Sequence, residues 1–188
     1  KEFGGEFFND VGGIKSVEIF VMHARFQSAD RKILERLRKA DGIFIAGGDQ
    51  SRYVRFWRGT EVAAILDAHV AAGKPLSGTS AGLAMLGEKL YGAMDDGSIK
   101  SPEALADPMG PANTIEGDFL NIALLKAVVT DTHFKERNRL GRLLAFVAKA
   151  QAQRSADQPM MIGLGVDESA ALAVEPDGSG KIYATEKD

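Results

Sequence analysis

Apolar residues along the chain alternate between short runs and longer amphipathic stretches. Residues 17–22, 42–46, 75–77, 127–130 and 161–164 are short apolar runs, the pattern of strands buried on both faces. Between them lie helical patterns. One spans 30–40, with Asp30 placed as its N-cap. A second spans 61–72 and is closed by Gly73 and Pro75, a common helix ending. The third spans 135–151, where Leu140, Leu143, Leu144 and Val147 share one face. Strands alternating with helices predict βαβ units, and so an α/β fold whose mainly parallel sheet lies between helices. The end of the chain differs: 170–175 and 181–185, joined by Pro176-Asp-Gly-Ser-Gly180, read as a β-hairpin. Residues 92–117 carry Gly, Pro, Asp and Ser with little periodicity and read as a long loop or insertion. No linker divides the pattern, so residues 1–188 are expected to form one domain.

Composition narrows the classes. A net charge of -3 gives no broad basic footprint for nucleic acid. No apolar run approaches the roughly 20 residues that span a bilayer, so no membrane association is expected. The absence of cysteine removes disulfides, thiolate catalysis and Cys-type zinc sites together. It fits a reducing compartment and a cytoplasmic location, while leaving secretion open. The chain starts with Lys1 inside a helical pattern, and is expected to be a trimmed piece whose targeting signal, if any, precedes it.

Chemistry concentrates at strand ends. Gly78-Thr79-Ser80-Ala81-Gly82 matches G-x-S-x-G between a short apolar strand and a helical segment at 81–86, the context of a nucleophile elbow. The alternative is a tight turn that happens to hold a serine. A serine nucleophile needs a base, and the chain offers three histidines, His23, His69 and His133. His69 sits inside the 61–72 helix, as a packing or surface residue would. His23 and His133 both follow strands, and the carboxyl edge of an open sheet is where ligands bind. His133 is favoured because it also precedes a helix and stands in a polar cluster. A carboxylate should orient the imidazole. Glu168 lies just past a strand, with Asp167 beside it and Asp131 near His133 as rivals.

Gly47-Gly48-Asp49-Gln50 ends another strand, where glycines can turn backbone N–H groups toward a ligand. A plain βα turn explains it equally well. No dinucleotide fingerprint is completed here or at Gly163-Leu164-Gly165. Downstream of His133, Arg137, Arg139 and Arg142 put positive charge on the first turns of the 135–151 pattern, which the helix dipole disfavours unless anions bind there. Arginine binds carboxylates through a two-pronged fork. A solvated charged face is the bland alternative, most of all for Arg142, which projects away from the apolar stripe.

Taken together, Gly47-Gly48-Asp49-Gln50, Gly78-Thr79-Ser80-Ala81-Gly82, Asp131-Thr132-His133-Phe134 with Arg137, Arg139 and Arg142, and Gly165-Val166-Asp167-Glu168 resemble peptidase family S51. Within it they are closer to the cyanophycinase branch than to the aspartyl dipeptidases. The resemblance implies a glutamine-amidotransferase-like, flavodoxin-like sandwich and usually a homodimer. It implies Ser80 as nucleophile, His133 as base and Glu168 as orienting acid. The amides of Gly48 and Ala81 would form the oxyanion hole, and Gln50, Asp131, Arg137, Arg139 and Arg142 would hold a β-aspartyl-arginine unit. No metal or cofactor is implied.

The expected activity is release of β-Asp-Arg dipeptides from cyanophycin, an arginine-bearing polyaspartate. Rival readings are a related S51 peptidase for isoaspartyl or α-aspartyl dipeptides, and a catalytically silent binding protein on the same fold. A nucleotide-binding protein is less well supported. The family's first strand, before Lys1, and its last strands, after the hairpin, are expected to be missing. The 92–117 stretch is longer than the family pattern suggests and lies next to the site, where it could reshape the pocket.

Overall fold

The computed structural model describes residues 11–95 and 97–185. The helical pattern at the start of the chain lies outside the described residues. The helices are α1 (Arg31–Lys39), α2 (Gln50–Trp57), α3 (Glu61–Ala71), α4 (Ala81–Ala84), α5 (Ser101–Ala106) and α6 (Leu140–Ala152). The strands are β1 (Ile43–Ile45), β2 (Leu76–Gly78), β3 (Leu90–Tyr91), β4 (Ile115–Glu116), β5 (Val128–Thr132), β6 (Ile162–Val166), β7 (Ala170–Val174) and β8 (Gly180–Ala184). β1 pairs parallel with β2, bringing Ile45 opposite Gly78. β5 pairs parallel with β6, bringing Thr132 opposite Val166. A parallel bridge between Lys89 and Val129 ties the start of β3 to β5. β3 and β4 pair antiparallel, and β7 and β8 form the hairpin expected at the chain's end.

Helices flank both parallel pairs, which makes this a mixed α/β fold. Leu34, Val54, Val62, Ile65 and Leu66 from α1–α3 close one apolar cluster with Ile45, Met85 and Leu90. Leu143, Phe146 and Ala150 from α6 close a second with Tyr91, Ile99, Val129 and Met161. Two of the helices are capped by a side chain that the sequence provides. Asp30 accepts from the amides of Lys32 and Ile33 at the head of α1, and Asp49 accepts from Ser51 at the head of α2. Gly73, at φ 73°, ends α3 as its amide bonds back to Val70 and that of Lys74 to His69.

Four expectations need correction. Residues 17–22 form no strand, since no described segment offers them a ladder, and Ile19, Phe20 and Val21 stay exposed. The third helix begins at Leu140, because His133 and Asn138 adopt φ of 46° and 48°, which no right-handed helix accommodates. Its buried face is also rotated from the expected one. Leu140 and Leu144 are 58% and 56% exposed, while Arg142, Leu143 and Phe146 are buried. Finally, residues 92–117 are not one irregular loop, since they contain α5, with Pro102 in its first turn, and β4.

His69 is buried in α3, with its Nε2 3.1 Å from the Pro75 carbonyl. That oxygen only accepts, so Nε2 carries the proton. Burial pushes the imidazole pKa below its ordinary value, helped by Lys74 and opposed by the Pro75 hydrogen bond and Asp41. In the unfolded chain His69 takes a proton near pH 6.5, whereas the folded site resists it. Stability is therefore full above about pH 6.5 and declines as pH falls toward the folded pKa. Between pH 7 and 5 the melting temperature of the protein is expected to fall more steeply than that of His69→Gln. Equal slopes in the two melting series would assign the acid sensitivity to other groups.

Candidate active site

The site forms where β1, β2, β5 and β6 end, at the carboxyl edges of both parallel pairs. Ser80 follows β2 and holds φ 50° and ψ -120° as it turns into α4. Both flanking glycines are sterically required. A Cβ on Gly78 would lie 2.4 Å from the Gly82 carbonyl oxygen, and one on Gly82 would lie 2.1 Å from that of Ile45. Thr130 on β5 anchors the other end of α4 by donating to the carbonyls of Leu83 and Ala84 at 3.1 and 3.0 Å. The strained serine is thus gripped from β1 on one side and β5 on the other.

His133 leaves the end of β5 at φ 46°, and its Nε2 is 2.8 Å from Ser80 Oγ. Its Nδ1 is 2.6 Å from Glu168 Oε1, just beyond the end of β6. A carboxylate only accepts, so Nδ1 carries the ring proton and Nε2 is left to accept from the serine hydroxyl. The His133 side chain is 21% exposed and that of Glu168 51%, so this chain of hydrogen bonds runs from the protein toward solvent. His23, the rival base, is exposed, and among the described residues its backbone amide donates to Gln27 Oε1. Asp167, the rival acid, accepts from the Lys135 amide instead of from an imidazole.

Beside Ser80 opens a cleft of about 290 Å³, lined by Gly48, Gln50, Ala81, Thr132 and the three arginines among others. Neither the Gly48 nor the Ala81 amide has a hydrogen-bond acceptor among the described residues. Gly48 needs its φ of 141°, where side chains are disfavoured. Gln50 opens α2, lines the cleft and donates through Nε2 to the Tyr91 carbonyl at 3.4 Å, and its Oε1 accepts no hydrogen bond among the described residues.

The arginines divide into two kinds. Arg142 is 3% exposed and Asp131 1%. The guanidinium grips both carboxylate oxygens, with Nε to Oδ2 at 2.7 Å and Nη2 to Oδ1. Nη1 reaches Ser98 Oγ at 3.2 Å and the Ile99 carbonyl at 3.3 Å, and the flat cation lies over the Tyr91 and Phe146 rings. Arg139 is also buried and donates to the Thr132 carbonyl at 2.7 Å. Burial, then the neighbouring charge of Arg142, lowers its pKa to about 10, with Asp131 opposing. Arg137 is exposed, lines the same cleft, and makes no side-chain hydrogen bond or ion pair among the described residues.

The 92–117 stretch lies beside the site as the sequence suggested, and Ala93, Gly97 and Ser98 are the residues by which it lines the cleft. No local pattern marks these individual residues, because distant groups hold them: Arg142 bonds Ser98, and the Tyr91 hydroxyl bonds the Gly97 carbonyl. Sequence reasoning missed α2, although Asp49 followed by Tyr53, Val54 and Trp57 is a capped helical spacing. No group of acidic or histidine residues able to hold a metal occurs among the described residues, and no described helix is long and apolar enough to cross a membrane.

The mixed α/β fold thus carries a serine at a strand-to-helix turn with a histidine and a carboxylate in hydrogen-bond reach, and the fold and the relatives place it among the peptidases. The relatives give the particular lineage. The model of peptidase family S51 matches residues 8–181, and the chain belongs to that family. It is 31% identical over 180 residues to a cyanophycinase of Synechococcus elongatus, covering 94% of this chain and 49% of that protein. A cyanophycinase of Trichormus variabilis is 30% identical over 167 residues, covering 88% and 50%. The chain therefore spans about half the length of the curated relatives it matches. The crystal structure of a peptidase from an acI-B1 Actinobacterium superposes with a TM-score of 0.57 at 18% identity, covering 86% of this chain and 57% of that one. That likeness is one of fold.

Proposed function

We propose that the protein is a serine-type peptidase of aspartyl peptides, with cyanophycin as its substrate. The observation that carries the reading is the pair of distances on His133, 2.8 Å to Ser80 Oγ and 2.6 Å to Glu168 Oε1. His133 takes the serine proton as Oγ attacks the aspartyl carbonyl, and Glu168 stabilises the imidazolium. The amides of Gly48 and Ala81 hold the oxyanion. The imidazolium then protonates the leaving amine, and water, deprotonated by His133, hydrolyses the acyl-enzyme. Arg137, as the uncommitted cation, takes a substrate carboxylate, while Gln50 Oε1 accepts from a substrate N–H. Arg139, Arg142 and Asp131 form the floor against which the acyl portion rests. Cyanophycin is favoured over isoaspartyl or α-aspartyl dipeptides by the cyanophycinase relatives at about 30% identity.

Incubation with cyanophycin, β-Asp-Arg and α-aspartyl dipeptides, with products identified by mass, tests the reading. Release of β-Asp-Arg from the polymer is the expected result, and cleavage of dipeptides alone would transfer the proposal to the dipeptidase alternative. Arg137→Lys keeps the charge but loses the fork. It is expected to lower kcat/KM by about 1–3 kcal/mol on substrates with a free α-carboxylate, with the melting temperature unchanged. An unaltered kcat/KM would remove Arg137 from the binding site.

A further inference from the structure

His133 and Glu168 belong to different strands, and the turn carrying the histidine is stitched to the end of β6 by groups with no assigned role. The Phe134 amide donates to the Val166 carbonyl at 3.3 Å. The Lys135 amide donates to Asp167 Oδ1 at 2.5 Å. In the opposite direction, the Glu168 amide donates to Glu136 Oε2 at 3.3 Å. The carboxylate beside the orienting acid thus holds the histidine turn, and a carboxylate on the histidine turn holds the orienting acid. Phe134 closes the seam by lying against Gly165, where a Cβ would come within 2.4 Å of its ring.

Such a lock answers a physical need. His133 sits at φ 46° and Ser169, just after Glu168, at φ 31°, both unfavourable for side-chain-bearing residues. Glu168 is half exposed, so packing alone does not hold its carboxylate against Nδ1. Amide-to-carboxylate bonds across the seam tie together the two main-chain segments that carry His133 and Glu168.

We propose that Asp167 and Glu136 are positioning residues that set the geometry of the His133–Glu168 pair by accepting amide protons across the seam. The inference rests on the reading of Ser80 as nucleophile and His133 as base. The test measures the rate at which a fluorophosphonate labels Ser80, by intact mass, and the ¹⁵N shifts of the His133 imidazole, which report its tautomer. Asp167→Ala is expected to slow labelling about 10- to 100-fold, as a misplaced base would, and to move the imidazole from the Nδ1–H form toward a mixture. Asp167→Asn keeps an oxygen acceptor for the Lys135 amide and is expected to recover most of the rate and the single tautomer. Glu136→Ala, at an exposed side chain, extends the test should Asp167→Ala fail to fold, with an expected slowing of about 3- to 10-fold. Labelling at the wild-type rate in both alanine variants, with the tautomer unchanged, overturns the proposal. So does Asp167→Asn as slow as Asp167→Ala, since the acceptor would then not be what matters. An unlabelled wild-type protein would instead count against Ser80 as nucleophile, and the tautomer in the Asp167 variants would still decide whether the lock positions His133.

Discussion

Ser80→Ala is expected to lower kcat on any substrate the protein turns over by a factor on the order of 10³ or more, with the melting temperature held within a degree or two. The two halves of the expectation have separate causes. Among the described residues the hydroxyl makes one hydrogen bond, to His133 Nε2, and that bond is the proposed route of the proton. The strain at φ 50° belongs to the backbone, and alanine carries the same Cβ that serine does, so the elbow gains no relief and no new clash. Oxyanion donors and binding groups survive the change and sustain a residual rate. Activity above about one part in a hundred of wild type would remove Ser80 from the nucleophile's role. A large fall in melting temperature would mean that the hydroxyl supports the fold.

Arg142→Ala should destabilise the protein by about 3–5 kcal/mol. The guanidinium satisfies both oxygens of a carboxylate that is itself 1% exposed. Without it Asp131 keeps the Thr132 amide at 2.8 Å and Arg139 at 3.5 Å, too little for a buried charge. For a chain of this size the loss corresponds to a melting temperature lower by roughly 6–20 °C. Activity should fall with it even below the melting point, because Ser98 and Ile99 lose the donor that holds them at the cleft. Arg142→Lys restores charge without the fork and should lie between the two. Normal melting with a raised KM would be the opposite outcome, and would make Arg142 a substrate ligand in place of a floor.

Local signals made the strand ends and the elbow legible. Apolar runs at β1, β2, β5 and β6, and glycines at 78 and 82, are visible in any window of a few residues. His133 could be preferred over His23 because strand polarity places the carboxyl ends together. Contacts between distant segments were not legible. Arg142 looked solvated because its partners, Asp131 on another element and the rings of Tyr91 and Phe146, are brought to it by the fold. The left-handed backbone at His133 carries only a weak marker, since histidine is enriched at positive φ but adopts it in a small minority of positions. Residues 17–22 show the reverse error, an apolar pattern with no strand to pair with among the described residues.

The cleft wall at 97–99 is held by the Arg142 guanidinium and the Tyr91 hydroxyl, whereas Ser80, His133 and Glu168 stand on strand ends and on the elbow. Selection can therefore act on the two separately. Insertions or substitutions around residues 92–99 can redraw which peptides are admitted without disturbing proton transfer, provided the stretch still meets Arg142 and the Tyr91 hydroxyl. Lineages built on this plan could diverge in diet while sharing one reaction, and the most variable stretch among them would be expected to be this wall.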